Sequence, residues 1–117
     1  SEKQAAGWHL DGRATAVLGS HTHVQTADTR VLPNGTGYIS DLGMTGPYDG
    51  VIGREASPVL HKLLTSMHAP FTVAEKNAHL CGVILEVDPS SGRCLSIQPV
   101  DLSEGEDGCF SHEFAQR

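Results

Sequence analysis

The chain has 117 residues, which fits a single domain or part of one, and 38% of them are hydrophobic. Its 14 acidic and 8 basic residues give a net charge of −6. This charge argues against a partner held by broad phosphate electrostatics, because such binders carry basic patches. A phosphate-bearing substrate stays open if metal cations supply the positive charge.

The first two predicted elements are a helix and a buried strand. Ser1 and Gln4 fit a capping box, and Gly12 predicts the end of the helix. Trp8, the single tryptophan, is expected to pack this helix onto the body of the domain. The apolar run Ala14–Gly19 predicts a strand buried on both faces, as in a parallel sheet. A helix followed directly by such a strand is half of a βαβ unit.

Two histidines, His21 and His23, follow this strand. In an extended backbone, residues two apart point to the same side, and their bases lie roughly 6.5–7 Å apart. One metal ion could take both rings, or two ions about 3.5–4 Å apart could take one each. Ligands collect at the carboxyl ends of strands in open α/β sheets, which is where the pair lies. The alternative is two loop histidines that hydrogen-bond to backbone and water.

The next segment predicts a hairpin and a glycine-rich loop. Residues Val31–Ile39 predict the hairpin, with its turn at Asn34. Residues Ser40–Gly50 contain too many permissive positions for the interior of a helix or strand. Backbone N–H groups of such a loop could approach a ligand, although a plain connector is the alternative. Thr45 and Gly46 are candidate substrate-binding residues at a pocket rim.

A second helix follows, with a clear apolar face. Ser57 is expected to cap it, with Pro58 in its first position. The apolar residues recur at helical spacing and predict a stripe that faces the core: Val59, Leu60, Leu63, Leu64 and Met67.

The last third of the chain predicts strands and then a tail. Residues 71–74 are interpreted as a strand, and the alternating runs on either side of residues 88–92 predict a hairpin. From Asp101 the composition becomes acidic and rich in glycine. We therefore divide the chain into a domain over residues 1–100 and a mobile tail over residues 101–117.

The cysteines and the hydropathy pattern bear on the compartment. Cys81, Cys94 and Cys109 form no Cys-x-x-Cys pair, which suits reduced thiols, although Cys81 and Cys94 could lie on neighbouring strands. We interpret all three as small core residues. No segment reaches the roughly 18–20 apolar residues of a membrane span, and no signal peptide is recognisable. We expect a cytoplasmic protein without a membrane partner.

Two histidines do not complete a catalytic metal site. Such a site usually takes three protein ligands, and a two-metal site needs carboxylates as well. Asp28, Asp41 and Asp49 are near in sequence, but no spacing favours any of them. The other histidines are expected to be solvated: His9, His61, His68, His79 and His112. The chain, which begins at Ser1, therefore looks like half of an active centre.

Three segments carry a resemblance that is much more specific than the histidine pair. They are Leu10–Arg13, Gly19–Asp28 and Asp41–Gly53. From Ser1 to about Val100 the chain resembles the bacterial calcineurin-like metallophosphoesterases of the YmdB type, which are taken as 2′,3′-cyclic nucleotide phosphodiesterases. The resemblance implies an α/β fold, the C-terminal half of a metallophosphoesterase-type sandwich with a mixed sheet and a C-terminal β-hairpin.

The resemblance also implies the roles of individual residues. His21 and His23 would each bind one of two divalent metal ions, with Mn, Fe and Zn all plausible. The remaining ligands and the catalytic histidine are expected upstream of Ser1, so that the isolated chain is expected to be inactive. Ser20 stands where the family more usually has threonine, which is a mild change.

The implied reaction is metal-assisted hydrolysis of a phosphodiester, either a cyclic nucleotide or an RNA end. In it, two cations bind phosphate oxygens and lower the pKa of a bridging water. The implied partners are that substrate and the N-terminal half of the same enzyme, and a homo-oligomer is left open. Two alternatives remain: a non-catalytic metal-binding or interaction module, and a structural domain with solvated histidines.

Overall fold

A computed structural model describes residues 1–105 of the chain, which combine helices with short and long strands. In chain order the elements are α1 (Glu2–Leu10), β1 (Ala16–Leu18), β2 (Arg30–Val31), β3 (Gly37–Ile39), β4 (Gly46–Pro47), α2 (Ala56–Thr65), β5 (Ala78–Val87) and β6 (Cys94–Ser103). They form two compact units. The first is Ser1–Gly43 with Cys81–Val100, and the second is Met44–Leu80 with the described residues from Asp101 onward. Among residues 1–105, no helix is long and apolar enough to cross a bilayer.

The first unit contains a three-stranded mixed sheet in the order β1-β3-β2. β1 runs parallel to β3, with Val17 opposite Tyr38, and β2 runs antiparallel to β3, with Val31 opposite Gly37. The turn between β2 and β3 contains Gly35 at φ 94°. The α/β class, the mixed sheet and this hairpin are confirmed. β1 is only half-buried, however, and Leu18 is exposed.

Helix α1 packs on the sheet through Gly7, not through Trp8 as predicted. Gly7 is buried, and a Cβ atom there would lie 2.8 Å from Cδ2 of Tyr38. The absence of a side chain therefore lets the helix approach β3 closely. Trp8 is 53% exposed, and the Arg30 guanidinium carbon lies 5.4 Å from its ring centroid. The predicted capping box is also wrong, because the N-cap Ser1 makes no side-chain capping bond.

Helix α2 belongs to the second unit and begins earlier than predicted, with Glu55 rather than Ser57 as its N-cap. Its apolar stripe is not core in the described chain. Val59 is buried, at 8% exposure, but the rest of the stripe is solvent-exposed: Leu60, Leu63, Leu64 and Met67. The prediction failed because helical spacing identifies an apolar face without identifying what covers it. The strand predicted over residues 71–74 is likewise replaced by a single bridge between Arg54 and Val73.

This difference in burial predicts a difference in stability within one helix. Val59→Ala removes buried methyl groups and should lower the free energy of unfolding of the 117-residue chain by about 1.5–3 kcal/mol. Leu64 is 82% exposed, so Leu64→Ala should change it by less than about 0.5 kcal/mol. Urea unfolding of the two variants measures both values. If Leu64→Ala lowered the free energy of unfolding more than Val59→Ala does, the apolar stripe of α2 would be buried and not exposed.

Strands β5 and β6 form the predicted hairpin and are neighbours in a sheet of order β4-β5-β6. Within the second unit, β4 pairs antiparallel with β5, with Gly46 opposite His79. Asp88 accepts hydrogen bonds from Ser90 and Ser91 in the hairpin turn, and these bonds lower the pKa of its carboxyl. Cys94 on β6 is a buried free thiol, and Cys81 lies on β5.

The boundary predicted for the tail falls inside β6. That strand continues through Ser103, so the first three residues of the predicted tail lie in a sheet. Composition did not predict the end of β6 correctly, because the acidic segment begins at Asp101, before the strand ends at Ser103. Residues 106–117, which include Cys109 and His112, lie outside the described residues.

Candidate metal centre

His21 and His23 lie in a bent loop after β1, not in extended backbone. Their φ angles are 112° and 68°, a region that residues with a side chain rarely adopt. The prediction that both rings point to one side of a strand is therefore wrong in its geometry. Each such residue costs on the order of 1–3 kcal/mol and persists only where surrounding structure holds it. The neighbouring contacts must therefore fix this loop.

Asp41, which follows β3, anchors the loop from inside. Its side chain is 1% exposed, and Oδ2 accepts the N–H of Thr22, between the two histidines, at 2.7 Å. Oδ1 accepts the N–H of Gly43 at 2.9 Å. The Lys3 ammonium lies 3.5 Å from Oδ2 and also donates to the Ser20 carbonyl. One buried carboxylate and one lysine thus fix the backbone on both sides of His21.

These contacts set the protonation state of Asp41. Burial on its own raises the pKa of the carboxyl, but hydrogen bonds from Gly43 and Thr22, and the positive charge of Lys3, outweigh it. The net result is a pKa below the ordinary value of 3.8. Asp41 is therefore an ionised acceptor at neutral pH, which is the form that charge-assisted bonds to backbone N–H groups require.

Gly19, directly after β1, forms backbone hydrogen bonds to the end of β3 and to the chain that follows β3. Its N–H donates to Ile39 O at 3.0 Å, and its carbonyl accepts the Leu42 N–H at 2.9 Å. A Cβ atom at Gly19 would lie 1.9 Å from Ser40 O, so no larger residue fits without moving backbone. The pairing between β1 and β3 therefore continues beyond the ends of both strands. It fixes the position at which the loop with His21 and His23 begins.

A second set of polar residues supports Asp41. The Thr26 hydroxyl donates to Asp28 Oδ1 at 2.8 Å and accepts the Asp41 N–H at 3.0 Å. Asp28 Oδ1 also accepts the Ser40 N–H at 3.1 Å, and the Ser40 hydroxyl donates to Thr26 at 2.8 Å. Asp28 and Asp41 are thus structural carboxylates, a role that their spacing in the sequence did not reveal.

The two histidines fit a metal site as part of its ligand set. Both are exposed to solvent. Imidazole nitrogen suits Zn, Fe and related divalent metals. Across the described chain, however, no cluster of three or more His, Cys, Asp or Glu residues could hold a metal ion. Further ligands would have to come from outside these residues.

Comparison with known proteins identifies the family. The model of the family described as YmdB-like protein matches residues 1–100. The chain belongs to the YmdB-like protein family. It is 47% identical over 104 residues to a protein of Bacillus subtilis (strain 168) named 2′,3′-cyclic-nucleotide 2′-phosphodiesterase, covering 89% of this chain and 39% of that relative.

Two solved structures of similar proteins share the fold of this YmdB-like chain. One is a hypothetical protein from Thermus thermophilus, with a TM-score of 0.82 and 43% identity, covering 89% of this chain and 40% of that one. The other is described as a novel phosphatase of Mycoplasma pneumoniae, with a TM-score of 0.83 and 31% identity, covering 99% and 40% respectively. The chain therefore spans about two fifths of the length of the relatives it matches.

Several other residues considered from the sequence lie in the second unit of this YmdB-like chain. Thr45 and Gly46 belong to it, and Gly46 lies in β4; their role in substrate binding stays a prediction. Asp49 accepts a hydrogen bond from the Asn77 amide at 3.1 Å. His79 is not simply solvated: its Nδ1 lies 2.6 Å from Asp101 Oδ1, and its Nε2 lies 3.0 Å from Asn77 Oδ1. His61 and His68 are exposed, as predicted.

The anchoring role of Asp41 gives a prediction for Asp41→Asn. An amide places N–H donors against the Thr22 or Gly43 N–H groups, so the free energy of unfolding at pH 7 should fall by about 2–4 kcal/mol. Glu2→Gln, an exposed change on α1, is the control. Its free energy of unfolding should lie within about 0.5 kcal/mol of the wild-type value.

The pH dependence of stability gives a second readout of the same variant. Because the folded pKa of Asp41 is lowered, its stabilisation is fully present above the unfolded value near 3.8 and is lost as pH falls through the folded value. The wild-type chain should therefore lose stability on acidification more steeply than Asp41→Asn does. Urea unfolding at a series of acidic pH values measures this. If the free energy of unfolding fell equally with pH in the two proteins, this role of Asp41 would be contradicted.

Proposed function

We propose that this chain is the part of a metal-dependent phosphodiesterase that contributes His21 and His23 as ligands, one to each of two divalent cations. One observation carries the proposal: two exposed imidazoles lie in a strained loop that a buried carboxylate holds. Strain at a held loop is a feature of functional sites. The names of the B. subtilis and M. pneumoniae relatives support the hydrolysis of phosphoesters.

The residues of this chain would prepare the ligands and hold them still. Neutral imidazoles present a nitrogen lone pair, and the bonds from Thr22 to Asp41 and from Lys3 to Ser20 restrict the loop before binding. Bound divalent cations, with Mn, Fe and Zn the candidates, would act as Lewis acids toward the phosphate and the attacking water. The net charge of −6 makes such cations the natural means of attracting a phosphodiester.

The substrate we propose is a phosphodiester, with a 2′,3′-cyclic nucleotide as the first candidate because of the name of the B. subtilis relative. The remaining ligands would come from a preceding part of a longer protein, since the relatives are about two and a half times as long as the matched region. We accordingly propose that the chain does not turn over substrate by itself. The free thiol of Cys94 supports a reducing compartment such as the cytoplasm.

The test compares the 117-residue chain with the same chain extended by its upstream sequence. Both are treated with chelator and assayed on 2′,3′-cyclic AMP before and after addition of Mn, Fe or Zn, with 3′,5′-cyclic AMP as the matched control substrate. We expect hydrolysis by the longer protein only, lost with chelator and restored by metal. Full hydrolysis in the presence of chelator would contradict metal dependence. Metal binding without turnover would instead support a non-catalytic module.

A further inference from the structure

Helix α2 of the second unit has an apolar face that residues 1–105 leave uncovered. Leu60, Leu63 and Leu64 lie at positions i, i+3 and i+4 of this helix, and Met67 follows its end. Each of the four is at least half exposed, and Leu64 is 82% exposed. We refer to these four residues as the exposed stripe. Single exposed apolar residues are ordinary, but several large ones on one face mark an interaction surface.

The area of the exposed stripe is that of one half of a small dimer interface. At roughly 150 Å² for a large apolar side chain, the four residues leave about 400 Å² of apolar surface exposed. Interfaces are about 56–65% non-polar, so two such stripes correspond to a total buried area of about 1,200–1,400 Å². That total lies at the lower end of specific interfaces, and above the roughly 800 Å² below which most crystal-packing contacts fall.

The charges of this part of the chain favour another copy of the protein over a lipid surface. The whole chain carries −6, but residues 44–80 contain three acidic and three basic residues. Two copies therefore do not repel each other through this region. A helix that lies on a membrane is rich in lysine and arginine on its polar face, whereas the only Lys or Arg of α2 is Lys62.

The two ends of α2 carry opposite charges, which suits an antiparallel pair. Glu55 is the N-cap, and Lys62 lies in the last turn. In an antiparallel pair each Glu55 end lies toward the Lys62 end of the other helix, and the helix dipoles oppose each other favourably. The Lys62 ammonium also lies 5.1 Å from the centroid of the Phe71 ring. Phe71 is itself exposed, so it extends the apolar surface beside the helix.

We infer that the exposed stripe binds the same stripe of a second copy of the chain, with the two α2 helices antiparallel about a two-fold axis. A two-fold interface brings the same patch of both copies together, and an apolar patch without charge is complementary to itself. The inference goes beyond the proposed function and does not depend on metal.

The small area predicts a weak dimer. We expect a dissociation constant of about 10–100 μM, because an interface at the lower end of the size range has little surplus over the cost of association. At about 1 μM, a concentration suited to unfolding experiments, the chain is then monomeric. The small effect expected for Leu64→Ala on unfolding applies to that monomer, in which the exposed stripe is uncovered.

Sedimentation equilibrium tests the inference on the 117-residue chain and on the longer protein as purified. Over about 1–500 μM we expect a monomer–dimer equilibrium in both. Leu63→Lys should weaken the dimer about 100-fold or more, because each dimer would bury the charge twice. Leu95→Lys makes the same change at an exposed position of β6 and should leave the dissociation constant within about threefold. Circular dichroism checks that both variants are folded.

A mixing experiment tests whether the stripe pairs with itself. Leu63→Lys and Leu63→Glu should each be monomeric at about 100 μM, and an equimolar mixture should regain the dimer because opposite charges then meet across the axis. The inference is overturned by a monomer at every concentration, by a dimer that Leu63→Lys leaves unchanged, or by a mixture that stays monomeric.

Two further outcomes would overturn the inference by assigning the stripe to another occupant. A dimeric 117-residue chain beside a monomeric longer protein would assign the stripe to the preceding part of that protein. Monomers that sediment with phosphatidylserine vesicles through the stripe would assign it to a lipid surface. None of these measurements uses turnover, so failure of this inference is distinguishable from failure of the proposed hydrolysis.

Discussion

Alanine at His21 or at His23 is expected to lower turnover of a 2′,3′-cyclic nucleotide by the longer, metal-loaded protein by about 10³-fold or more. The reason is the loss of one imidazole ligand. Lewis-acid stabilisation of a phosphoryl transition state contributes several kcal/mol, and about 1.4 kcal/mol corresponds to a factor of ten in rate. Initial rates at saturating substrate and fixed metal concentration measure the effect.

The matched controls are His61→Ala and His68→Ala, because both residues are exposed histidines in the second unit. They should retain turnover within about twofold of wild type, since surface substitutions away from a site have small effects. Unfolding midpoints of all four variants separate loss of a ligand from loss of the fold. Wild-type rates for His21→Ala or His23→Ala would remove that residue from the proposed site.

Gly19→Ala is expected to unfold or nearly unfold the first unit. The added methyl group would lie 1.9 Å from the Ser40 carbonyl oxygen, and no flexible side chain can move aside to relieve that contact. Backbone must shift at the point where Gly19 pairs with Ile39 and Leu42. We expect the free energy of unfolding to fall by about 3 kcal/mol or more, at the upper end of overpacking effects. Urea unfolding followed by circular dichroism measures it.

Gly82→Ala provides the control, because it makes the same chemical change in strand β5. A Cβ atom at Gly82 would meet no other atom within 4 Å. We expect a change within about 0.5 kcal/mol, or a small gain from reduced freedom of the unfolded chain. If the two variants were equally stable, close backbone packing at Gly19 would not be what positions the histidine loop.

Features that depend on short stretches of sequence could be predicted. The β2–β3 hairpin has a glycine at positive φ in its turn, and β5 and β6 alternate apolar and polar residues on either side of a turn held by Asp88. Helix α1 lies close to its predicted limits. In each case the interactions that define the element are local, so residue pattern and turn chemistry were sufficient.

Features that depend on distant residues could not be predicted. Asp41 contacts Lys3 and Thr22, and the spacing of these residues in the sequence does not predict a buried carboxylate that bends the loop. That contact is why the extended geometry expected for the histidine pair was wrong. The exposed stripe on α2 failed for the converse reason, because periodicity describes a face and not its partner. Gly7 in place of Trp8 as the packing residue of α1 is a third example.

The most direct test of the central claim is the metal content of the purified longer protein and of its His21→Ala and His23→Ala variants, by elemental analysis. We predict about two bound divalent ions per wild-type molecule and a clear loss in each variant, with little metal on the 117-residue chain. Wild-type metal content in both histidine variants would show that these residues are not ligands. Absence of metal from the longer protein would contradict the metal-dependent mechanism itself.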